Sequence, residues 1–299
     1  MSILVVGSIA LDTVETPFGK SDDALGGSAL FFGNAASFFA PVNIVGVVGQ
    51  DFDISQIEYL RQKSVDFSGL MIESGSTFRW GGRYHKDVNM RDTLFTHLNV
   101  FETFKPVIPT HYRDSELIFL ANIDPELQLD VLRQIKKPRL TVLDTMNFWI
   151  NGKRDALMEL VRQVDVMILN DEELCDLTGN VNIYDGGMEL LEHGLKALVI
   201  KKGQHGAVLL DREGRFLAPA YPVARVVDPT GAGDTFAGGF MGHLATCKTL
   251  DDTAFRHAVI YGTVAASFVV EDFSFDRLKQ IDRTDLNDRF EKIRTMTRF

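Results

Sequence analysis

Short runs of Val, Ile and Leu recur along the chain: "ILVV" (3–6), "VNIVGVV" (42–48), "LIFL" (117–120), "LTVLD" (140–144), "VMILN" (166–170) and "ALVIKK" (197–202). Most alternate with segments whose apolar residues repeat at helical spacing, such as "PELQLDVLRQIKK" and "DALMELVRQV". Continuous apolar strands separated by helices predict an α/β fold with a mainly parallel sheet covered on both faces, because a strand buried on both sides does not need to alternate.

Residues from about 75 to 104, beginning "GSTFRWGGRY", break that rhythm: aromatic, Thr and Arg residues come in near alternation with no helical period. This predicts two or three strands of a small antiparallel sheet, to which "LDTVETPF" (11–18) would add another. Such an insertion beside an α/β core forms a lid, since functional loops project from the ends of parallel strands. No repeat, low-complexity tract or linker interrupts the chain, so residues 1–299 read as one domain with lid strands inserted at about 11–18 and 75–104. After "DPTGAGD", the stretches "TFAGGFMGHLAT" and "DDTAFRHAVIYGTVAASFVV" predict long apolar helices that fill core, followed by a charged helical tail from Arg277.

With 299 residues and 45% hydrophobic content, the chain can bury a sizeable core. Its net charge of -10 argues against nucleic acid or an anionic membrane as the main partner, since both would repel it. The opening "MSILVVGSIALD" has no basic segment and reads as a buried strand, and no apolar run approaches the roughly 20 residues of a membrane helix. Cys175 and Cys247 lie far apart outside any paired spacing, which suits a reducing cytoplasm.

Several catalytic signatures fail. "GKS" at Gly19 to Ser21 has Val14 where a phosphate-binding loop needs glycine, and no zinc-protease, paired-cysteine or G-x-S-x-G pattern occurs. "GAGDTFA" (231–237) matches a dinucleotide fingerprint with Asp251 following, but that acid lies between helical segments, and Asp234 would repel the pyrophosphate. What this turn offers is an anion hole: Gly231 and Gly233 allow close backbone approach, and the N–H groups around Ala232 open a helix. A carboxylate here, Asp234, suits a general base that takes the proton of a hydroxyl attacking a phosphoryl group held in the hole. An aspartate N-cap is the plainer explanation, but it leaves the flanking glycines and Asp228 unexplained.

"DPTGAGDTFAGGF" resembles the C-terminal signature of the ribokinase-like (PfkB) family of sugar and nucleoside kinases, and matches elsewhere span nearly the whole chain. "VVGSIALD" resembles the family's first strand, whose aspartate, here Asp12, holds substrate hydroxyls. "LGGSALFFGNAASFF" resembles its di-glycine segment, Gly26 and Gly27, and "VVGQDFD" the element that follows. "ILNDEELCDLTG" is similar to the segment that places Asn170 and Glu173 near Mg²⁺ and phosphates, with water between them and the ion in that family. "VIKKGQHGAVL" resembles the nucleotide-binding turn, with Lys201, Gly203 and Gly206.

The resemblance implies a three-layer α/β/α ribokinase-like core with a mainly parallel sheet, a small antiparallel β-sheet lid, and transfer of the ATP γ-phosphoryl group to a substrate hydroxyl with Mg²⁺. It gives Asp234 the base role and the backbone of Gly231, Ala232 and Gly233 the anion hole. In relatives a monovalent cation, usually K⁺, sits beside the equivalents of Asp228 and the Thr230 carbonyl; the segment that would complete that site here, "VVEDFSFD", departs from the family ending.

The leading expectation is a primary hydroxyl of a small sugar or related compound as acceptor, with an adenosine-like nucleoside as the alternative. Phe31 stands where sugar-specific members carry asparagine, and Phe31 and Phe32 would either face a base or fill core. Arg79, among lid aromatics Phe78, Trp80 and Tyr84, would hold an anionic group, and Asn147 would contact substrate at the sheet's carboxyl edge. An aromatic-rich lid sheet also suits a homodimer. A non-catalytic sensor of the same fold is the third reading, and the retained Asp234 argues against it.

Overall fold

Both faces of the apolar strands are buried, and alternate residues serve opposite layers: Ile3 and Val5 join one apolar cluster, Leu4 and Val6 the other. A computed structural model of the chain describes residues 1–88 and 90–298. The strands are β1 (Ile3–Val6), β2 (Ala10–Thr16), β3 (Gly19–Gly26), β4 (Val42–Gly49), β5 (Val65–Glu73), β6 (Phe78–Tyr84) and β7 (Arg91–His97). They continue as β8 (Leu117–Leu120), β9 (Leu140–Asp144), β10 (Val166–Asn170), β11 (Ala197–Lys201), β12 (Ala207–Asp211) and β13 (Arg215–Ala218).

The larger sheet has the order β13-β12-β11-β10-β9-β8-β1-β4-β5 and is parallel except for β12 and β13. From β1 the chain passes to β4 and β5 on one side, and later to β8 and outward on the other. The loops leaving β1 and β8 diverge at this reversal, which is where open α/β sheets form a ligand crevice.

The smaller sheet, β3-β2-β6-β7, is the lid. Its outer pairs are antiparallel, while the central pair β2–β6 is parallel. The parallel centre follows from the core: β2 continues from β1 and β6 from β5, and these core strands point the same way. The strand β3, "GKSDDALG", was hidden in the sequence because most of it is exposed or half-buried, and such an edge needs no apolar face.

Helices Ala232–Thr246 and Asp252–Val269 pack as core, as their composition predicts; Phe240, Met241, Val264 and Ala265 join one cluster with Leu30 and Phe32 of helix Ser28–Ala36. The aromatic pair of that helix is core too. Phe32 stacks on Phe119 at 4.3 Å and Phe31 meets Phe275 edge-on at 4.5 Å. Among the described residues, no helix is long and apolar enough to cross a membrane.

Candidate active site

A cleft of about 640 Å³ opens between the carboxyl ends of the parallel strands and the lid. The strand ends contribute Ser8, Asn122, Asp144, Asn170 and Lys201. The lid contributes Phe78, Trp80 and Tyr84 of β6, with Arg91 of β7. Opposite them runs the turn Pro229 to Asp234.

That turn is held from below. Asp228, 2% exposed, accepts a hydrogen bond from the Thr230 backbone N–H at 2.9 Å. Gly231 follows as N-cap of helix Ala232–Thr246 with φ +71°, a left-handed conformation that glycine adopts at little cost. The chain then turns its N–H groups and the positive helix end toward the cleft, an arrangement that favours anions. Lys201 reinforces it: a Cβ placed on Gly233 would lie 3.0 Å from the Lys201 Nζ.

The charges around Lys201 are crowded. Its ammonium lies 3.4 Å from Asp144 Oδ1, and burial, which disfavours its charge, is outweighed by attraction to Asp144, Glu173 and Asp234. The carboxyls are shifted the other way. Asp234 is pushed up to about 7, chiefly by burial and then by the Asp144 charge, with Lys201 opposing. Burial likewise raises Asp144, and carries Glu173 to about 7, again against Lys201. One buried ammonium cannot neutralise these acids together, so protons or incoming cations must share the load.

Across the cleft, Asp12 is 6% exposed and pushed up to about 8 by burial and then by the Asp228 and Asp234 charges; the Gly27 N–H opposes this. A Cβ at Gly26 would fall on the Asp12 carboxylate, and one at Gly27, with φ +93°, would strike the Ser8 carbonyl. The di-glycine step thus lets the carboxylate rest against backbone. In the lid, Asp12 and Trp80 are register partners, and both line the cleft.

Asn170 caps helix Asp171–Thr178: its Oδ1 accepts the Glu173 N–H at 2.8 Å, and Glu173 Oε2 accepts the Asn170 N–H at 2.7 Å. The capping box fixes Glu173 in the cleft, so the structural and the site positions of this acid coincide. Asn147 also lines the cleft and donates to Asp176 Oδ2 at 2.7 Å.

The structure therefore brings together Asp12, Gly27, Asn147, Asn170, Glu173, Lys201 and the turn through Asp234, with Gly26 behind Asp12 and Asp228 beneath the turn. Two sequence expectations are placed elsewhere. Arg79 is not among the residues lining the cleft; its guanidinium is taken by Asp23 and, at 3.0 Å, by Asp51, because its side chain alternates away from Phe78 and Trp80. Gly203 and Gly206 lie outside the lining as well, in the turn between β11 and β12. Asp144 and Arg91 also line the cleft, though neither is among the residues expected from sequence. Asp144 did carry a signal, an acid closing the apolar strand "LTVLD" as Asn170 closes "VMILN"; Arg91 carried none, since only the pairing Tyr84↔Arg91 brings it to the cleft face.

A doubly covered parallel sheet whose switch-point crevice holds an anion turn, a buried acid and a β-sheet lid defines a small-molecule kinase of the ribokinase-like fold. The sequence pattern of the pfkB family carbohydrate kinases matches residues 112–277, more than half of the chain, and the protein belongs to that family. The chain is 30% identical over 258 residues to cytidine kinase of Thermococcus kodakarensis, covering 84% of this chain and 91% of that one. It is 28% identical over 276 residues to ribokinase of Lactococcus lactis, covering 86% and 88%. The crystal structure of Methanocaldococcus jannaschii nucleoside kinase superposes with a TM-score of 0.77 at 22% identity, covering 97% of this chain and 98% of that one.

Proposed function

We propose that the protein transfers the γ-phosphoryl group of ATP to the primary hydroxyl of a nucleoside. The observation that carries this reading is the register pair Asp12 and Trp80: neighbouring strands set a carboxyl group for ribose hydroxyls beside an aromatic plane for a base. Phe78, paired with Ala10 one step earlier, extends the plane. A small sugar would leave these faces uncovered.

In this reading Asp234 accepts the proton of the attacking hydroxyl, and its elevated pKa gives it the basicity the task needs near neutral pH. The N–H groups of Gly231, Ala232 and Gly233, with Lys201, stabilise charge on the phosphoryl oxygens as it builds. Asp12, Gly27 and Asn147 hold the acceptor in line. Among the described residues no group of three or more His, Cys, Asp or Glu is placed to hold a metal ion, whereas Glu173 and Asp144 offer buried hard oxygens. Such a donor set fits Mg²⁺ held mainly by phosphates and water, with Asn170 and Glu173 behind the water; the ion would neutralise phosphate charge.

Asp228 forms no ion pair among the described residues, and this buried carboxylate beside Thr230 fits K⁺ as a further ligand. The setting would be cytoplasmic, with Cys175 and Cys247 as free thiols. A second copy pairing on the lid, where Leu94 and Met90 are exposed, belongs to the same proposal and is read from the mass in solution.

The test is an acceptor panel with Mg-ATP, with and without K⁺, read by ADP release and product mass. Cytidine, uridine, adenosine and guanosine compete with ribose, 2-deoxyribose and fructose. Phosphorylation of a nucleoside at least tenfold more efficient than of any free sugar is expected; the reverse order overturns the nucleoside assignment.

A further inference from the structure

The strand β6 crosses the cleft as a strap with unequal ends. Its root is held firmly at Thr77, which is fully buried: Thr77 N and Oγ1 both donate to Asp51 Oδ1 at 2.7 Å, and Oγ1 accepts from the Gly49 N–H at 3.0 Å. Asn99 adds a bond to the Thr77 carbonyl at 2.8 Å, and Arg79 ties the next turn of strand to Asp51. The far end is Tyr84, the last residue of β6, 8% exposed. Its hydroxyl oxygen accepts from the Thr230 Oγ1 at 3.2 Å.

Thr230 is the residue immediately before Gly231. Its backbone is fixed to the core through Asp228, and its side chain to the lid through Tyr84. The strap and the anion turn thus meet at one neutral hydroxyl pair, while Phe78 and Trp80 face the cleft between root and tip. On the lid side, Arg91 is the cross-strand partner of Tyr84, and its guanidinium lies 5.1 Å from the Trp80 ring centroid, so the tip is packed against the same plane that borders the acceptor.

We propose that Tyr84 is a positioning residue that latches the lid to the phosphate-holding turn, so that closure of β6 over the acceptor and ordering of Thr230 and Gly231 are one event. The consequence is a coupling between acceptor and phosphoryl group: an open strap leaves the turn held from one side and admits water to it. The inference rests on the reading of the cleft as a phosphoryl-transfer site.

Hydrogen exchange of the β6 amides in the free protein tests the latch apart from any activity. Tyr84→Phe and Thr230→Val should each speed exchange over residues 78–84 several-fold, the double variant should add nothing to either, and Thr230→Ser should exchange as the parent does. Unchanged exchange in Tyr84→Phe, or additive effects in the double variant, overturns the latch. In turnover with the best acceptor, Tyr84→Phe should lower kcat about tenfold and form more ADP than product, with the Kd for ATP unchanged. A rise in acceptor KM alone would make Tyr84 a plain substrate contact and overturn the coupling. Failure of the unsubstituted protein to phosphorylate any acceptor would sink the kinase reading, while the exchange arm still decides the latch.

Discussion

The ring of Phe31 lies directly against Gly231: a Cβ built on this glycine would come within 2.3 Å of it. A core aromatic from helix Ser28–Ala36 therefore forms the floor of the anion turn. The Phe31 ring shapes the hole from below, and its 2% exposure leaves little face for a substrate.

Gly231→Ala meets both a positive φ and that ring. Turnover should fall at least about 100-fold, with thermal stability lower by roughly 1–3 kcal/mol from backbone strain alone. Adding Phe31→Leu should recover part of the stability but not the turnover, measured by denaturant titration alongside steady-state kinetics.

Asp234→Asn removes the proposed base while leaving the N–H groups of the turn in place. A loss of about 10²–10⁴ in kcat is expected, with nucleotide binding retained by calorimetry. In the parent, activity should fall as pH drops through about 7, because the carboxyl must be ionised to accept a proton. A variant with unchanged turnover would remove Asp234 from the mechanism.

Lys201 holds Asp234 down against burial and Asp144. Lys201→Met should therefore move the acid limb of kcat/KM to higher pH and weaken ATP binding about tenfold or more. A limb that stays put would mean the titrating group is not Asp234.

Asp12 is protonated in the folded protein up to about pH 8, but ionises near 3.8 when unfolded. Unfolding between those values releases a proton, so stability falls as pH rises through the window. Asp12→Asn should flatten that slope by up to about 1.4 kcal/mol per pH unit, read from urea titrations at about pH 5, 6 and 7.

The two lid residues Trp80 and Arg79 should separate cleanly. Trp80→Ala should raise nucleoside KM by roughly 5- to 150-fold, the worth of about 1–3 kcal/mol of base stacking, and leave free ribose little affected. Arg79→Ala should leave acceptor KM unchanged and cost about 1 kcal/mol or less of stability, since its ion pairs are partly exposed.

Local order in the chain determined much of this protein without any long-range packing. Apolar runs such as "VMILN" fixed the doubly covered strands, because burial on both faces leaves no alternation. "DPTGAGD" carried its own chemistry, since glycine conformation, a helix start and an acid within seven residues define an anion turn with a base. What sequence could not supply was which side chains share a surface. The residues bordering the cleft come from strands far apart in the chain, and the face each presents depends on pairing: the register Tyr84↔Arg91 turns Arg91 inward, while Arg79 alternates away to Asp23 and Asp51. The contact of Phe31 with Gly231 joins positions separated by most of the core and has no local signature. Tertiary structure decided these matters because strand register and helix packing are settled by burial summed over the whole sheet.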